Sequence, residues 1–440
     1  MKLKFPFLNQ LFLLVFAVSI VGCSNDDAVF INPPSVEGAQ QLQDTITMGE
    51  SLLLSPKFSN AKNSIFEWKV DGQLVGNDST LVYIPQVRGT HQISVLAKNE
   101  GGEASITYDI HTWGAYENGF YLINEGWFGR GTGTVGFYRY DTQTLEDSVF
   151  VKTNPTKDLL PLNSTLGFGT IHNEKLYLVS KVGGPVVVSD AYSLKEEQRI
   201  PASSGNNWRA FLGVSDTQGL LSSGNGLHKV NLETLVVEGT LSGIEGQIGD
   251  MIKVGEHIFV LSQREGVIIL NAATYEVEKR IPDMALGFAK TEDQTVWAAG
   301  GTSLVKINPS TLETETIDLG FKANSSWGAW HPSSITASAN TIFIAKNGSF
   351  AGGNEIYSYT GDIASLQNPF IKLPETEVLY GPGLAFNSAK GQLVVRTVRD
   401  GWGENFSYNK LHFYNANSGV LEKTMAYDGY YFPSSPVFHD

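Results

Sequence analysis

A short unit recurs seven times in the C-terminal part of the chain, and this repetition constrains the fold more than any other feature. In each copy a strand pattern ends in a polar residue, as at Asn271 and Asn308, and a turn follows. Short polar side chains suit that position because they accept hydrogen bonds from the backbone of the following turn. The seven copies lie at residues 138–141, 187–190, 229–231, 269–271, 306–308, 357–360 and 413–415.

A strand of alternating apolar residues precedes every copy, and a further strand precedes six of them. The first copy lacks this opening strand, whereas residues 432–438 form a strand pattern that no partner strand follows. Both facts are explained if the C-terminal strand completes the first sheet and closes a ring, which removes exposed sheet edges. The second strands are predicted at 120–123, 176–179, 219–221, 257–261, 295–299, 341–345 and 392–395, and the first strands at 167–171, 210–214, 248–253, 286–290, 333–338 and 383–386.

The repeat therefore predicts an all-β fold, a seven-bladed β-propeller of four-stranded blades over residues 113–440. Six or eight blades remain alternatives. A helical solenoid is disfavoured because the chain has no 3.6-residue apolar periodicity and carries 46 glycines spread along its length.

Residues 31–112 show short alternating strands separated by turn signals, which predicts a small β-sandwich ahead of the propeller. The sequence at 67–72, together with Tyr83 and residues 95–102, resembles PKD and immunoglobulin-like domains. In such sandwiches a tryptophan packs in the core, so the resemblance implies that role for Trp68.

The N-terminus has the pattern of an export signal. Residues 1–22 begin with positive charges, followed by an apolar run at 11–21 that is too short to span a bilayer. The run ends at Cys23 in a sequence that resembles the lipobox of bacterial lipoproteins, which implies lipidation of Cys23 and a tether over residues 23–30. Residues 24–27 resemble a signal for display on the outer surface of the outer membrane. A solvated tether on a periplasm-facing anchor is the alternative.

Composition and motifs argue against several classes of function. A net charge of -14 disfavours nucleic acid as a partner, since no basic stripe is present. The eight histidines show no metal-binding spacing, and the chain has no nucleophile elbow, phosphate loop or dinucleotide fingerprint. We therefore expect no enzyme activity, no metal and no cofactor. Carboxylates near the propeller axis, Glu125, Asp250 and Asp400, keep catalysis open as an alternative.

The loops predicted on one face of the propeller, the top face, carry most of the length variation between repeats. They also hold five of the eight tryptophans. Large rings in solvent-facing loops predict a platform for a flat or bulky ligand, with arginines for its anionic groups; plugs between neighbouring blades are the alternative. The predicted ligand-binding residues are Trp127, Phe128, Arg130, Trp208, Arg209, Arg264, Trp327, Trp330, Tyr380, Arg399, Trp402, Tyr430 and Tyr431.

The opening blade, residues 120–135, resembles that of the surface-layer-type, YVTN/YncE-like and DUF5074-like propeller lipoproteins of gut commensals. The resemblance implies capture of a small molecule, cobalamin or another corrinoid, and its delivery to a TonB-dependent outer-membrane transporter. A non-catalytic adhesion or scaffolding propeller that binds a protein or a glycan is the alternative. Apart from a captured corrinoid, no bound cofactor is expected.

Overall fold

The computed structural model describes residues 30–131, 133–159, 164–324, 335–348 and 352–439. The regular structure of these residues is β-strand, apart from one α-helix, Val149–Thr153, and two 3₁₀-helices, Ile363–Leu366 and Gly403–Ser407. Two compact units are present. The first comprises residues 30–46, Ser51–Ile84 and Thr90–His111, and the second Thr47–Glu50, Pro85–Gly89 and residues 112–439. No described helix has the length and apolarity needed to cross a membrane.

The N-terminal unit is a small set of sheets around one tryptophan. Its largest sheet has the order β2-β9-β8-β5-β6, and two-stranded sheets are formed by β1 with β4 and by β3 with β7. Trp68 is fully buried, its Nε1 donates to the carbonyl of Asp78 at 2.8 Å, and its ring stacks on Tyr108. The predicted core role of Trp68 is therefore confirmed. The strands are β1 (Ser35–Val36), β2 (Gln43–Thr47), β3 (Leu52–Leu54), β4 (Phe58–Ser59), β5 (Ile65–Val70), β6 (Gln73–Gly76), β7 (Leu81–Tyr83), β8 (Gly89–Asn99) and β9 (Gly102–Trp113).

The described part of the second unit contains seven four-stranded sheets, numbered 1 to 7 in chain order. Sheet 1 begins with β10 (Gly119–Asn124), β11 (Thr134–Arg139) and β12 (Leu145–Glu146). Sheet 2 comprises β13 (Leu166–His172), β14 (Lys175–Ser180), β15 (Val186–Asp190) and β16 (Glu196–Ile200); sheet 3 comprises β17 (Trp208–Gly213), β18 (Gln218–Ser223), β19 (Gly226–Asn231) and β20 (Val236–Thr240); sheet 4 comprises β21 (Ile248–Val254), β22 (His257–Ser262), β23 (Gly266–Asn271) and β24 (Val277–Ile281).

The remaining sheets follow the same order. Sheet 5 comprises β25 (Gly287–Lys290), β26 (Val296–Gly300), β27 (Ser303–Ile307) and β28 (Thr314–Asp318); sheet 6 comprises β29 (Ile335–Ala337), β30 (Ile342–Ala345), β31 (Glu355–Tyr359) and β32 (Ile371–Lys372); sheet 7 comprises β33 (Glu377–Asn387), β34 (Gln392–Arg399), β35 (Asn409–Asn415) and β36 (Leu421–Ala426). The last strand, β37 (Pro433–Phe438), returns to sheet 1.

The repeated polar residue caps the turn between the third and fourth strands. Oδ1 of Asn271 accepts hydrogen bonds from the backbone N–H groups of Ala273 and Thr274, at 2.9 and 3.1 Å. Asn231, Asn308 and Asn415 make the same pair of bonds in sheets 3, 5 and 7. The role predicted for this position is therefore confirmed at these turns.

The two ends of the second unit pair within sheet 1. Strand β37 runs antiparallel to β10, with Tyr121 opposite Val437 and Leu122 opposite Pro436. The pairing predicted between the C-terminal segment and the first repeat is therefore present. It leaves the sheet with the strand order β12-β11-β10-β37, in which the last strand of the chain is innermost.

The innermost strands of the seven sheets contact one another in succession. Strands β13, β17, β21, β25, β29 and β33 follow this order, and β37 contacts both β33 and β13. The fold is propeller-like, since each sheet packs its faces against its neighbours. A channel of about 370 Å³ is lined by residues of these strands.

Candidate functional site

Loops of sheets 1 and 7 are joined by backbone hydrogen bonds to the segment that leads into β37. Glu125 N–H donates to the carbonyl of Phe432 at 2.9 Å, and Gly126 N–H donates to that of Tyr431 at 3.1 Å. On the other side, Gly429 N–H donates to the carbonyl of Ser407 at 2.7 Å. We call this junction the seam. It exists because the chain must cross from sheet 7 to sheet 1 in order to add β37.

A cluster of rings packs at the seam. Phe432 lies at its centre, with ring centroids 4.9 Å from Phe406 and 5.2 Å from Tyr380. Trp127 contacts Tyr431 at 4.7 Å, and Trp402 lies edge-on to Phe406 at 5.6 Å. We define the seam cluster as Trp127, Arg130, Tyr380, Trp402, Phe406, Tyr431 and Phe432.

The backbone of Phe432 is strained where it places its ring in this cluster. Its φ is 54°, in the left-handed region that bulky residues seldom adopt. Such strain persists only where surrounding contacts enforce it, and it is concentrated at functional sites.

Polar contacts link the cluster across the seam. The guanidinium of Arg130 lies over the Trp127 ring, 3.9 Å from its centroid, and is 3.9 Å from the carboxylate of Glu404. The hydroxyl of Tyr431 donates to the same carboxylate, and this bond is the main reason why the pKa of Tyr431 is raised. Residues from both neighbouring sheets and from the crossing segment therefore form one connected surface.

Some members of the seam cluster are buried, and others are exposed to solvent. Phe406 and Tyr380 are buried, whereas Trp402 is 65% exposed and Phe128, next to Trp127, is 53% exposed. Large exposed rings on a fixed base are typical of binding surfaces. At the end of β34, next to the loop that carries Trp402, the guanidinium of Arg399 lies 3.4 Å from the ring centroid of Tyr408.

A cleft of about 190 Å³ lies beside the cluster. Its walls include Asn124, Trp127, Arg130, Tyr430 and Tyr431. The hydroxyl of Tyr430 donates to Asp147 Oδ2 at 2.6 Å. Hydrogen bonds from Lys152 first, and then from Tyr430, lower the pKa of Asp147, so this carboxylate is ionised at neutral pH.

Buried charges lie close to the seam, and sequence reasoning missed this arrangement. The carboxylate of Glu125 accepts a hydrogen bond from Lys181 at 2.8 Å, and both side chains are about 5% exposed. Burial lowers the pKa of Arg209 and of Arg396 to about 10, and the charge of Glu125 opposes both shifts. The charge of Glu125, which directly follows β10 of sheet 1, thus interacts with three cations from other sheets. These are Lys181 next to sheet 2, Arg209 of sheet 3 and Arg396 of sheet 7. No local sequence pattern could have revealed it, since the residues are far apart in the chain.

The predicted site residues divide into four groups, one of which, Trp208 and Arg209, lies at the start of β17 in sheet 3. Trp127, Arg130, Tyr380, Trp402 and Tyr431 come together in the seam cluster, with Phe128, Arg399 and Tyr430 beside it. Arg264 lies away from them, exposed between β22 and β23 of sheet 4. Trp327, Trp330 and Cys23 lie outside the described residues. Whether the group at the seam binds a ligand stays a prediction.

Four residues were predicted in loops but lie in strands. Trp208 and Arg209 begin β17 and are both 8% exposed, and Tyr380 lies within β33. Trp208 packs edge-on against His228 of its own sheet, so it belongs to the core rather than to the top face. The reason is that β-bulges near Trp208 and Tyr380 let these strands continue pairing beyond their predicted starts. Arg399 likewise ends β34 rather than lying in a loop.

The carboxylates predicted near the propeller axis differ in their surroundings. Asp250 lines the channel, where burial raises its pKa to about 6. Asp400 begins the loop after β34 and accepts a hydrogen bond from Gly401 N–H. Among the described residues, no group of three or more His, Cys, Asp or Glu side chains is placed to hold a metal ion.

The fold and the aromatic seam define a β-propeller protein that carries a PKD-like domain, the latter matched over residues 33–99. The chain belongs to the family described as domain of unknown function DUF5074, which matches residues 118–439. No curated protein matches it at a significant level.

Solved structures share the fold at low sequence identity. A quinoprotein alcohol dehydrogenase-like protein from Bacteroides thetaiotaomicron superposes with a TM-score of 0.58 and 19% identity, covering 92% of this chain and 99% of that one. The extracellular domain of a putative one-component system from the same organism gives 0.47 and 13%, over 75% and 46% of the two chains. The dihydro-heme d1 dehydrogenase NirN gives 0.46 and 12%, over 74% and 76%. At such low identity, the alcohol dehydrogenase-like protein supports an inference about the fold alone. The other two structures support no inference about this chain.

Proposed function

We propose that this chain is a seven-bladed propeller that captures a ligand at the seam cluster and performs no catalysis. The blade number is supported by the seven four-stranded sheets of the described residues and by the succession of contacts between their innermost strands. In this proposal the sheets serve as a rigid frame, and the departure from their repetition at the seam provides the working surface.

The exposure of rings over a buried base is the observation that carries the proposal. Trp402 is 65% exposed although Phe406 and Tyr380 beneath it are buried. Apolar area left in water forgoes roughly 25 cal/mol per Å², and rings of this size offer large contact areas. A ligand that covers Trp402 and Phe128 would recover this free energy while Arg130 and Tyr431 supply hydrogen bonds at its edge.

The ligand class that we propose is a corrinoid, as the family resemblance implies. A corrinoid has a broad, rigid macrocycle fringed with amides, which suits open stacking on Trp402 with polar contacts around it. The cleft of about 190 Å³ cannot enclose such a molecule, so the mode of binding would be open capture on a surface. We propose further that lipidated Cys23 anchors the protein at the outer-membrane surface, where the ligand is passed to a TonB-dependent transporter.

Calorimetric titration with cyanocobalamin tests this function. We expect micromolar binding by the wild-type protein, loss of at least tenfold in affinity for Trp402→Ala, and a smaller loss for Arg130→Ala. Arg264→Ala is the matched control, because Arg264 is also an exposed arginine and lies in the corresponding loop of sheet 4.

Two outcomes would contradict the corrinoid assignment. One is the absence of binding in the micromolar range, and the other is equal weakening by the Arg130 and Arg264 substitutions. Capture of a protein or a glycan from outer membranes by the wild-type chain, but not by Trp402→Ala, would then favour the adhesion function at the same surface.

A further inference from the structure

The channel contains a polar site that is separate from the seam. Four innermost strands carry a β-bulge at one level, near the end of their partner strand. In β21, Ile248 pairs with Ser262 and Met251 with Val260, so that residues 249 and 250 both face Leu261. The same two-against-one arrangement occurs at residues 167–168 of β13, 209–210 of β17 and 434–435 of β37.

Register makes the second residue of each bulge equivalent. These residues are Phe168, Ala210, Asp250 and Ser435, and all four line the channel. β-Bulges re-aim side chains, and they are frequent next to functional sites. One level of the channel therefore combines a carboxylate from sheet 4 with a hydroxyl from sheet 1, between apolar neighbours.

The two polar groups have unused hydrogen-bonding capacity. Asp250 Oδ1 accepts a hydrogen bond from the Met251 N–H at 2.8 Å. Among the described residues, this is the one hydrogen bond that the Asp250 carboxylate makes. Ser435 Oγ is buried and makes no hydrogen bond to any described residue. Buried polar atoms without a partner are rare in proteins and call for a bound molecule or another explanation.

The other charged or titratable groups along the channel are His172 and Arg209. The ring Nε2 of His172 pairs with the carbonyl of Ser215 at 3.0 Å, and Arg209 donates to the carbonyl of Trp208 at 3.0 Å. The anionic charge that acts on Arg209 is that of Glu125. Asp250 is therefore the acidic side chain of the channel lining.

We propose that the channel binds a small organic cation, with its ammonium group paired with the carboxylate of Asp250 at the level of the channel that also carries the hydroxyl of Ser435. A carboxylate removed from water gains more from an opposite charge than one at the surface. Apolar lining residues such as Ile252 and Leu384 fit a short alkyl chain, and a volume of about 370 Å³ lies within the range of small-molecule sites. A lone carboxylate with one hydroxyl is too small a ligand set for a divalent metal.

Ligand-observed NMR with n-butylammonium tests the proposal, with 1-butanol and butyrate as neutral and anionic counterparts of the same shape. We expect saturable millimolar binding of butylammonium at pH 7.5, at least tenfold tighter than that of butanol or butyrate. Because burial raises the pKa of Asp250 to about 6, binding should weaken progressively as the pH falls through 6.

Two variants and a control keep the test decisive. Asp250→Asn should lower the affinity for butylammonium at least tenfold, and Ser435→Ala should lower it several-fold without changing any charge. Asp318→Asn, at an exposed aspartate on the outermost strand of sheet 5, should have no effect. Butylammonium binding that persists in Asp250→Asn, a preference for butyrate, or no saturable binding by the wild type would overturn the proposal. Cyanocobalamin binding should be unchanged in all three variants, which separates this site from the seam.

Discussion

Sheet 4 and the seam lie in the same unit but are built differently. In sheet 4 only residues 263–265 join β22 to β23, and both strands are filled with buried aliphatic and aromatic side chains. At the seam, residues 125–133 and 400–408 form long connections, and the neighbouring strand β34 buries Arg396 and Thr397. Sheet 4 is stabilised by the burial of apolar side chains, whereas the seam buries charged side chains and exposes aromatic rings. This contrast is the reason for placing ligand capture at the seam.

The polar interior of sheet 7 extends the contrast. Glu377 accepts hydrogen bonds from Lys410 at 2.5 Å, His412 at 2.6 Å and Thr397 at 2.9 Å. Burial acts to raise the pKa of Glu377, but these bonds outweigh it and the pKa lies below its usual value. Buried networks of this kind specify one arrangement of side chains because each unpaired member would be costly.

The largest difference between the two regions should appear when a buried charge is removed. Glu125→Gln removes the carboxylate that pairs with the buried ammonium group of Lys181, so we expect a loss of about 3–5 kcal/mol in the free energy of unfolding. The control is Glu265→Gln in sheet 4, which breaks a half-exposed ion pair with Arg280 and should cost less than about 1 kcal/mol. Urea denaturation measures both. Equal losses would show that the seam holds no special buried charge.

Asp250→Asn tests the exception within sheet 4. The pKa of about 6 in the folded protein lies above the usual value near 3.9, so the unfolded chain ionises first as the pH rises. The wild type therefore loses stability between about pH 4 and 6, and the variant does not. We expect the variant to be more stable than the wild type by about 1–3 kcal/mol at pH 7, with the difference shrinking towards pH 4. A difference that does not change with pH would contradict the buried, isolated carboxylate.

Much of the frame was predictable from sequence because its signals are local. Alternating strands and the turn-capping Asn271 and Asn308 lie within a few residues of one another, and the unpaired C-terminal strand pattern required a partner in the first repeat. The site was predictable only in part. In the sequence, a large aromatic residue at the start of a strand cannot be distinguished from one in a loop. The bulges that place Trp208 and Tyr380 in strands were therefore not predicted.

The buried charges were not predictable at all. Glu125 pairs with Lys181, and its charge acts on Arg396, only after three sheets have packed, and no spacing along the chain encodes that arrangement. The four bulge residues at one level of the channel were missed for the same reason, since they become equivalent only through strand register.

A smaller loss of stability is expected from a substitution at the edge of the cleft beside the seam cluster. Tyr430→Phe removes the hydrogen bond to Asp147, which should reduce the free energy of unfolding by about 0.5–1.5 kcal/mol. The pKa of Asp147 should rise towards its usual value, because Tyr430 is the second of the two donors that lower it. NMR titration of the carboxyl group measures this shift. Tyr275→Phe in sheet 4 is the control, and a similar loss there would mean that the phenol hydroxyl does not distinguish the two regions.

The smallest effect on stability is expected from the most exposed ring. Trp402→Ala should change the free energy of unfolding by no more than about 0.5 kcal/mol, because the side chain is 65% exposed. Trp297→Ala, at a buried tryptophan of sheet 5, should cost about 3–5 kcal/mol. Thermal denaturation compares the two. A large loss for Trp402→Ala would mean that this ring holds the seam together rather than serving a ligand.

Hydrogen–deuterium exchange with and without cyanocobalamin tests most directly whether the seam is the working surface. We expect slower exchange on ligand addition in the peptides that cover 125–131, 400–408 and 427–432, with no change at 263–265 in sheet 4. Slower exchange in the short connections of sheets 3 to 5, with the seam peptides unaffected, would contradict it.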